Sequence, residues 1–434
     1  MSATIRIGVA DLNGQARGKR LPASYAEKLA SGAVRMPYSA LNVDISGADI
    51  EGSPLVFETG DADGMLLPTG RGPVPMPWLA GDPAFHPMWM FHDADTPFAG
   101  DPRHALAAVL ARYAARGWQV IAATELEFYL VDDSGVAPAP PTPPGAPAPV
   151  FGEAILSLAE LDAFDEFFSD LYAGAAAMGI PAQAAISESG IGQFEVNLGH
   201  GDALQAADDA WLFKMLVKGM ARRHGLAATF MAKPFPDGAG NGMHVHFSVV
   251  DGAGRNVFDD GSETGNARLT YAVAGCLGAL GDATVIFAPH GPSYDRLVDG
   301  SHAPTAACWG YDNRTVALRI PTGPPAARRI EHRVAGGDVN PYLMLAAILG
   351  AALEGIEAGA APPTPVTGNA YESALPGLAS DLPTAVAQFE ASAVMARIFG
   401  PDLVANLVMT KRQEIAQFAG LSARDRLRLY LETV

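Results

Sequence analysis

The chain has 434 residues, 49% hydrophobic and 18% charged, an ordinary globular composition with ample material for a large core. Its net charge of −18 makes a surface that repels nucleic acid and anionic lipid, so neither a nucleic acid nor a membrane is an expected partner. The two cysteines, Cys276 and Cys308, form neither a metal spacing nor a disulfide framework, the N-terminus lacks the pattern of a signal peptide, and no uncharged apolar run reaches membrane-span length; a cytoplasmic protein is expected.

Residues 1–100 read as short strands and loops, with "TIRIGVADLNG" and "SPLVFETGDADGMLLPTG" as strand-like runs and Asn13-Gly14 and Asp63-Gly64 as turn signals. Pro97, Gly100 and Pro102 punctuate a boundary near residue 100. Beyond it, "DPRHALAAVLARYAARG" predicts a helix with Asp101 as N-cap, Pro102 in the first turn and Gly117 at its end. "WQVIAATELEFYLV" follows as a strand. Residues 137–149, "APAPPTPPGAPAP", hold neither a helix nor a sheet ladder and read as a polyproline-like surface insertion. Helical periodicity runs through "LSLAELDAFDEFFSDLYAGAAAMGI", ending near Gly179, and through "QAADDAWLFKMLVKGMARRHG". "NPYLMLAAILGAALEGIEAG" predicts a buried helix capped near Asn340, and the last sixty residues look helical.

The strand "TELEFYL" carries Glu125 and Glu127 two residues apart, so both carboxylates leave an otherwise apolar segment on one side. The same i, i+2 spacing recurs elsewhere. His244, His246 and Ser248 share a face of "GMHVHFSVV", and Arg329, Glu331 and Arg333 share a face of "RRIEHRV"; single charged residues also sit in strand-like runs, Glu195 in "QFEVNL" after Glu188, and Arg319 in "NRTVALRIP" after Arg314. Any one of these strands is equally well read as half-exposed with a wet outer face. Together they are not, because the polar residues are Glu, His and Arg rather than Thr, Ser, Lys and Gln. They predict one curved, largely antiparallel sheet with a densely ionic concave face. Five carboxylates with one imidazole, His244, suit Mg²⁺ or Mn²⁺ better than Zn²⁺, and exceed what a single octahedral ion needs, so two or more ions are expected. Metals and arginines in one cavity point to phosphoryl transfer. No Walker sequence and no kinase-type glycine loop is present, and "GAGNG" alone is a weak phosphate signal.

In order, "TELEF", "ESGIGQFEVNL", "KPFPDGAGNGMHVHFS", "NRTVALRIP" and "RRIEHRVAGGDVNPYL" resemble the motifs of the glutamine synthetase superfamily over nearly the whole chain. "WGYDNRTVALRIP" and "VTGNAYESALPGLASDLPTAVAQFEAS" are most similar to the branch that makes gamma-glutamyl amides of amines and polyamines. The resemblance implies an α+β fold: a small N-terminal β-grasp domain, residues 1–100, and a larger catalytic domain, residues 101–434. It implies active sites between subunits of two stacked hexameric rings, a homododecamer. It places Glu127, Glu188 and Glu195 on a first metal ion, and Glu125, His244 and Glu331 on a second beside the phosphates of ATP. Arg314 and Arg319 would stabilise the transferred phosphoryl group, Arg319 also serving the nucleotide along with His246, Ser248 and Arg329. Arg296, Arg333 and the backbone near Gly240 would hold glutamate. The implied reaction activates the γ-carboxylate of glutamate as γ-glutamyl phosphate, which an amine then converts to an amide.

The sequence departs from glutamine synthetases proper at the ammonium site. Their Asp-Gly-Ser-Ser latch is replaced by "LNVDISGADIEG", with Asp44 in the aspartate's place. Their flap glutamate before Ala-Pro is His302 in "GSHAPTAACWG", which suits a proton acceptor for a larger amine or a mere space-filling change. Ala239 replaces an asparagine that contacts glutamate. The expected nucleophile is therefore a primary amine or polyamine, against two alternatives: a true glutamine synthetase using ammonia, and a non-catalytic structural or sensory member. The retained ligand-type side chains at all six metal positions speak against the second. Tyr371 lies near the region where some bacterial glutamine synthetases are adenylylated; a loop tyrosine in itself signals no such modification.

Overall fold

The computed structural model describes residues 4–135, 137–150 and 155–434. The first sheet has seven strands: β1 (Thr4–Ala10), β2 (Ala16–Pro22), β3 (Arg35–Pro37), β4 (Asp63–Pro68), β5 (Val74–Pro75), β6 (Ala84–Asp93) and β7 (Thr96–Pro97). Their order is β2-β1-β6-β4-β3, with β5 and β7 added to β6, and only the β1–β6 pair is parallel. Asn13-Gly14 forms the β1–β2 turn as expected: Gly14 has φ 78°, and Asp11 Oδ1 accepts the N–H groups of Asn13 and Gln15. Asp63-Gly64 does not turn. Both residues lie inside β4, where a methyl on Gly64 would come within 2.6 Å of Met90 Cγ and 2.7 Å of Tyr38 Cε1. The glycine is there for close packing, and the strand-like run before it holds a helical turn, Pro54–Phe57, capped by Ser53.

The second sheet has nine strands. They are β8 (Trp118–Val131), β9 (Ala182–Ser187), β10 (Gln193–Leu198), β11 (Gly201–Asp202), β12 (Ala227–Thr229), β13 (Met243–Asp251), β14 (Trp309–Tyr311), β15 (Leu318–Ile320) and β16 (Ile330–His332). The order is β14-β15-β16-β13-β8-β10-β9, with β11 and β12 also pairing β8. The pairs are antiparallel except β14–β15, which is parallel. The runs around Arg319 and Glu331 form shorter strands than expected, so Arg314 lies in a turn and Arg329 and Arg333 flank β16.

One face of β8 is sealed by alternation. Leu126, Phe128 and Leu130 are fully buried, and Phe128 packs on Phe167, Phe194 and Phe230. The helix Pro102–Ala114 begins at the Asp101 cap, whose side chain accepts the N–H of Arg103. Helix Ala203–Arg223 is capped by Asp202. Arg103 makes a two-pronged ion pair with Asp208 at 2.9 Å for each bond, and Tyr342 donates to the same carboxylate at 2.8 Å. One buried polar knot thus fixes the relative positions of three helices.

The third of these, Pro341–Ala358, is apolar all round and long enough to cross a membrane, but here it is a core helix, 78% buried. It crosses helix Ala267–Ala279 at Gly275 and Gly355, where a methyl on either glycine would meet a facing carbonyl oxygen at 2.1 Å. The expected single helix over residues 156–180 is two, Leu158–Ala163 and Asp165–Met178. Phe164 breaks it with φ −115° and ψ 28°, because its buried ring packs edge-on against Phe194. The proline-rich stretch forms no ladder among the described residues, only a single bridge between Ala139 and Asp132.

Asn340 joins the two sheets' surroundings. Its Oδ1 accepts the N–H groups of Tyr342 and Leu343, and its Nδ2 donates to the carbonyl of Asp11 at 2.9 Å. Asn340→Ala is expected to destabilise the protein by about 2 kcal/mol, from a lost helix cap plus an unpaired buried carbonyl. Denaturant titration checks this; a loss under about 0.5 kcal/mol would mean that the cap is replaced by other donors and acceptors.

Candidate active site

The ionic face is set by strand register. Across β8, Glu195 of β10 stands opposite Glu127, while Asn197 of β10 and His244 of β13 stand on either side of Glu125. One row further, Ala123, His246, Glu331 and Arg319 line up across β8, β13, β16 and β15. Ligand atoms of Glu125, Glu195 and His244 all lie within 4.8 Å of one another, as do those of Glu125, His246 and Glu331. Glu125 belongs to both groups. Its Oε2 is 3.2 Å from His244 Nδ1 and its Oε1 is 3.0 Å from His246 Nε2.

Glu127 is held differently. The Gly242 N–H donates to its Oε2 at 2.8 Å, and Gln193 Nε2 lies 3.4 Å from the same oxygen. A methyl on Gly242 would sit 2.8 Å from Arg296 Nη2, 3.2 Å from His244 Nε2 and 3.3 Å from Glu127 Oε1, so three functional groups close around this glycine. The loop that carries it is pinned from β8 itself: Tyr129, two residues beyond Glu127 on the same face, donates its hydroxyl to the Ala239 carbonyl at 2.7 Å. Arg296 is buried, donates to the Val334 carbonyl at 2.7 Å and packs along Gly240.

The charges divide the face in two. On the arginine side, Arg319 donates to Glu331 Oε2 at 2.7 Å and to Asp312 at 2.7 Å, and Arg333 pairs with Glu331 Oε1. Burial pushes the Glu331 carboxyl up, but Arg333, His244, His246 and Arg319 outweigh it and hold it below its ordinary range. Burial likewise opposes the hydrogen bonds of His244 and His246 at Glu125, and the histidines prevail, holding it low. On the other side the carboxylates outweigh the cations. Burial and the charges of Glu125, Glu127 and Glu188 push Glu195 up to about 9; burial and Glu127 push Glu188 up to about 7 despite nearby Arg314. Asn197 donates to Glu195 at 2.9 Å, which orients it without neutralising it.

This imbalance is the fit test for metal ions. Burial and mutual repulsion work against ionising Glu188 and Glu195 together, which a bound cation would relieve, and the donor set is carboxylate oxygen with two imidazoles, which suits a hard divalent ion such as Mg²⁺ or Mn²⁺. The sequence pointed to one imidazole; the fold presents two, since His246 reaches Glu125 and Glu331 as well as the neighbouring cavity. That cavity, about 580 Å³, opens beside Glu125 and is lined by His246, Ser248, Arg329, Asn197 and His200. It can admit a phosphate-bearing ligand whose charged end faces the carboxylates. Arg329 Nε donates to His246 Nδ1 at 3.3 Å, linking its wall to the cluster.

Arg314 is exposed in the turn before β15, within electrostatic reach of Glu188. His302 stands apart from the carboxylates, exposed, with a left-handed φ of 61°. Asp44 is buried and engaged: Ser46 and Ala48 donate backbone N–H groups to its Oδ1 at 2.9 Å, and Gln413 donates to its Oδ2 at 2.9 Å. Sequence reasoning missed Gln193, Asn197, Gly242 and Asp312. Gln193 and Asn197 were within reach, since they share the strand face of Glu195 at i−2 and i+2.

Residues 99–430 match the glutamine synthetase catalytic domain. The chain is 38% identical to gamma-glutamylputrescine synthetase PuuA of Escherichia coli (strain K12) over 369 residues, 83% of this chain and 77% of that one. It is 32% identical to the glutamate–isopropylamine ligase of a Pseudomonas species, covering 99% of this chain and 95% of the relative. A solved structure described as a GmaS/ADP complex superposes with a TM-score of 0.85 at 30% identity, covering 99% and 97% of the two chains.

The raised carboxyls make a pH prediction. Stability from Glu188 and Glu195 is present below their ordinary value of 4.5 and is lost as pH rises through about 7 and about 9. In chelator, Tm is expected to fall from pH 5 to pH 9 (about the window those two shifts set), and saturating Mg²⁺ or Mn²⁺ is expected to remove the fall. Glu195→Gln should flatten the metal-free profile and weaken the metal response. A Tm that climbs toward the alkaline end in chelator would contradict the assignment.

Proposed function

Because this chain belongs to the glutamine synthetase family, we propose that it joins the γ-carboxylate of glutamate to a primary amine or polyamine, with ATP driving the ligation. It is an ATP-dependent carbon–nitrogen ligase. Two relatives that span most of its length bear the names of glutamate–amine ligases or gamma-glutamyl amide synthetases. The observation that carries the choice of amine over ammonia is the acceptor side. The one carboxylate in the latch position, Asp44, is buried and already accepts three hydrogen bonds, and the flap position holds His302.

In this reading the γ-carboxylate oxygen of glutamate bonds to the γ-phosphorus as the bond to the ADP oxygen breaks. The amine nitrogen then bonds to the γ-carbonyl carbon, phosphate leaves, and the amine's proton passes to His302 or to solvent. Arg296, Arg333 and the Gly240 backbone hold glutamate. Arg314 and Arg319 bind the charge that builds on the transferred group. His246, Ser248 and Arg329 line the nucleotide cavity, with Arg319 at its phosphate end. Glu127, Glu188 and Glu195 hold one divalent ion, and Glu125, His244 and Glu331 another, with Glu125 between the two groups. The ions, when bound, offset the repulsion between two anions brought into contact.

Supporting the domain reading, the N-terminal strands have their own apolar cluster around Leu41, Leu66 and Met90, apart from the main core. We take residues 1–100 as a β-grasp unit on its mixed strand order, and residues 101–434 as the catalytic unit. The family resemblance and an active site open on one side favour a ring of subunits, two hexamers deep, in the cytoplasm.

The test is ADP release by the purified protein with glutamate, Mg²⁺ or Mn²⁺ and a panel of amines: ammonium, isopropylamine, ethanolamine, putrescine and longer polyamines. The expected outcome is kcat/KM for at least one amine more than about tenfold above that for ammonium, a difference of about 1.4 kcal/mol in transition-state binding. Ammonium equal to or better than every amine would instead mark a glutamine synthetase. ADP release in no condition would mark a non-catalytic member.

A further inference from the structure

His302 is an exposed non-glycine residue in the left-handed region, a conformation that persists only where its surroundings over-determine it. Both of its neighbours are tied down. Before it, the Ser301 hydroxyl is 2.8 Å from the Arg296 carbonyl and 2.6 Å from that of Val298. After it, the Ala303 carbonyl accepts the Tyr371 hydroxyl at 2.9 Å. A third chord closes the loop, from Thr305 Oγ1 to Asp299 at 2.7 Å.

Tyr371 belongs to a strap, residues 366–378, that runs from the phosphate side to the acceptor side. At its start, Asn313 donates to the carbonyls of Val366 and Gly368, and the Ala370 N–H donates to Thr315 Oγ1 at 3.0 Å. Asn313 and Thr315 flank Arg314. At its end, Ala307 donates to the Pro376 carbonyl and Leu378 to the Thr305 carbonyl, both at 2.9 Å. Between these anchors the Tyr371 phenol is half-buried and lies within the electrostatic reach of Arg296 and Arg333.

We infer that Tyr371 is a positioning residue for the acceptor step: through the Ala303 carbonyl it fixes the loop on which His302 meets the incoming amine. The inference rests on the glutamate–amine ligase reading. It also gives the tyrosine singled out in the sequence a role other than modification, because its hydroxyl is already committed to a backbone carbonyl. Removing that hydroxyl leaves the ring and its packing in place but frees the turn at His302. The amine then meets a less ordered site, while the carboxylates and arginines that build γ-glutamyl phosphate are untouched. An intermediate that waits longer is open to water, whose oxygen bonds to the γ-carbonyl carbon as phosphate leaves, returning glutamate.

The experiment is steady-state kinetics of Tyr371→Phe with the best amine, measuring ADP and amide separately. The expected result is a KM for the amine raised about three- to tenfold, the range of one hydrogen bond, with KM for ATP and glutamate unchanged. ADP formed per amide should exceed the parent's ratio. Ser301→Ala, which cuts the tether on the other side of His302, should likewise raise the amine KM and the ADP-to-amide ratio with KM for ATP unchanged, and an unchanged Tm for both variants separates positioning from unfolding. Three unchanged KM values with an unchanged ADP-to-amide ratio would overturn the strap, as would an equal rise in all three. A parent protein that forms ADP and amide while Tyr371→Phe behaves like it sinks this inference alone; a parent that forms no amide from any amine sinks the functional reading with it.

Discussion

The structure is organised around a charge deficit. Carboxylates from three strands and a turn are brought to one face of a sheet, and the protein supplies cations to only half of them. Glu125 and Glu331 are held ionised by two histidines and two arginines, whereas at Glu188 and Glu195 burial and neighbouring carboxylates outweigh the nearby Arg314 and His244. Like charges in a low-dielectric setting cannot all ionise unaided. The chain therefore carries a built-in demand for positive charge at one place, and that demand defines where divalent ions, and the phosphates they hold, belong. The asymmetry also gives the site a direction, with arginines on the β15–β16 side and carboxylates of raised pKa towards β10.

Such a face needs a stiff backing. β8 has Leu126, Phe128 and Leu130 sealed beneath the same residues that present Glu125 and Glu127 above, so displacing the carboxylates means moving the core. Helices Pro102–Ala114 and Ala203–Arg223 pack on β8, the core helix Pro341–Ala358 packs on them and meets helix Ala267–Ala279 through close glycine contacts, and the Arg103–Asp208–Tyr342 knot prevents the helices from sliding. Tyr129 extends this rigidity to the glycine loop, because its ring is buried in a separate small cluster with Val131, Ala227 and Leu431 while its hydroxyl holds the loop beside Arg296. The glycine loop is thereby tied to the strand that carries Glu125 and Glu127.

What was legible in the sequence follows the range of the interaction that encodes it. Alternation in a strand is local, so the ionic faces of β8, β10 and β13 could be read directly, as could the Asp101 and Asn340 caps. Register is not local. That Glu195 opposes Glu127 and that His246 reaches Glu125 are consequences of strand pairing, which is why two imidazoles emerge where one was expected. The helix break at Phe164 and the in-strand glycine Gly64 were misread for the same reason: a tertiary partner, Phe194 in one case and Met90 in the other, overrides a local preference. The parallel β14–β15 pair and the engaged state of Asp44 likewise depend on segments far away in the chain.

The departures from glutamine synthetases proper fit together physically. An ammonium ion must be stripped of water and held by negative groups, since it has no carbon chain to bury. A site for it needs free carboxylates near the flap. Here Asp44 is occupied by Ser46, Ala48 and Gln413, and the residue before the Ala303-Pro304 pair is an exposed imidazole, His302. A larger amine brings its own apolar surface and needs room and a proton acceptor more than it needs fixed negative charge. The substitutions that remove ammonium's ligands therefore leave the phosphoryl chemistry of the sheet intact and change only what meets its product. A change of acceptor need not involve the carboxylate face at all, because the His302 loop is held by its own hydrogen bonds to the Arg296 carbonyl and the Tyr371 hydroxyl rather than by the carboxylates.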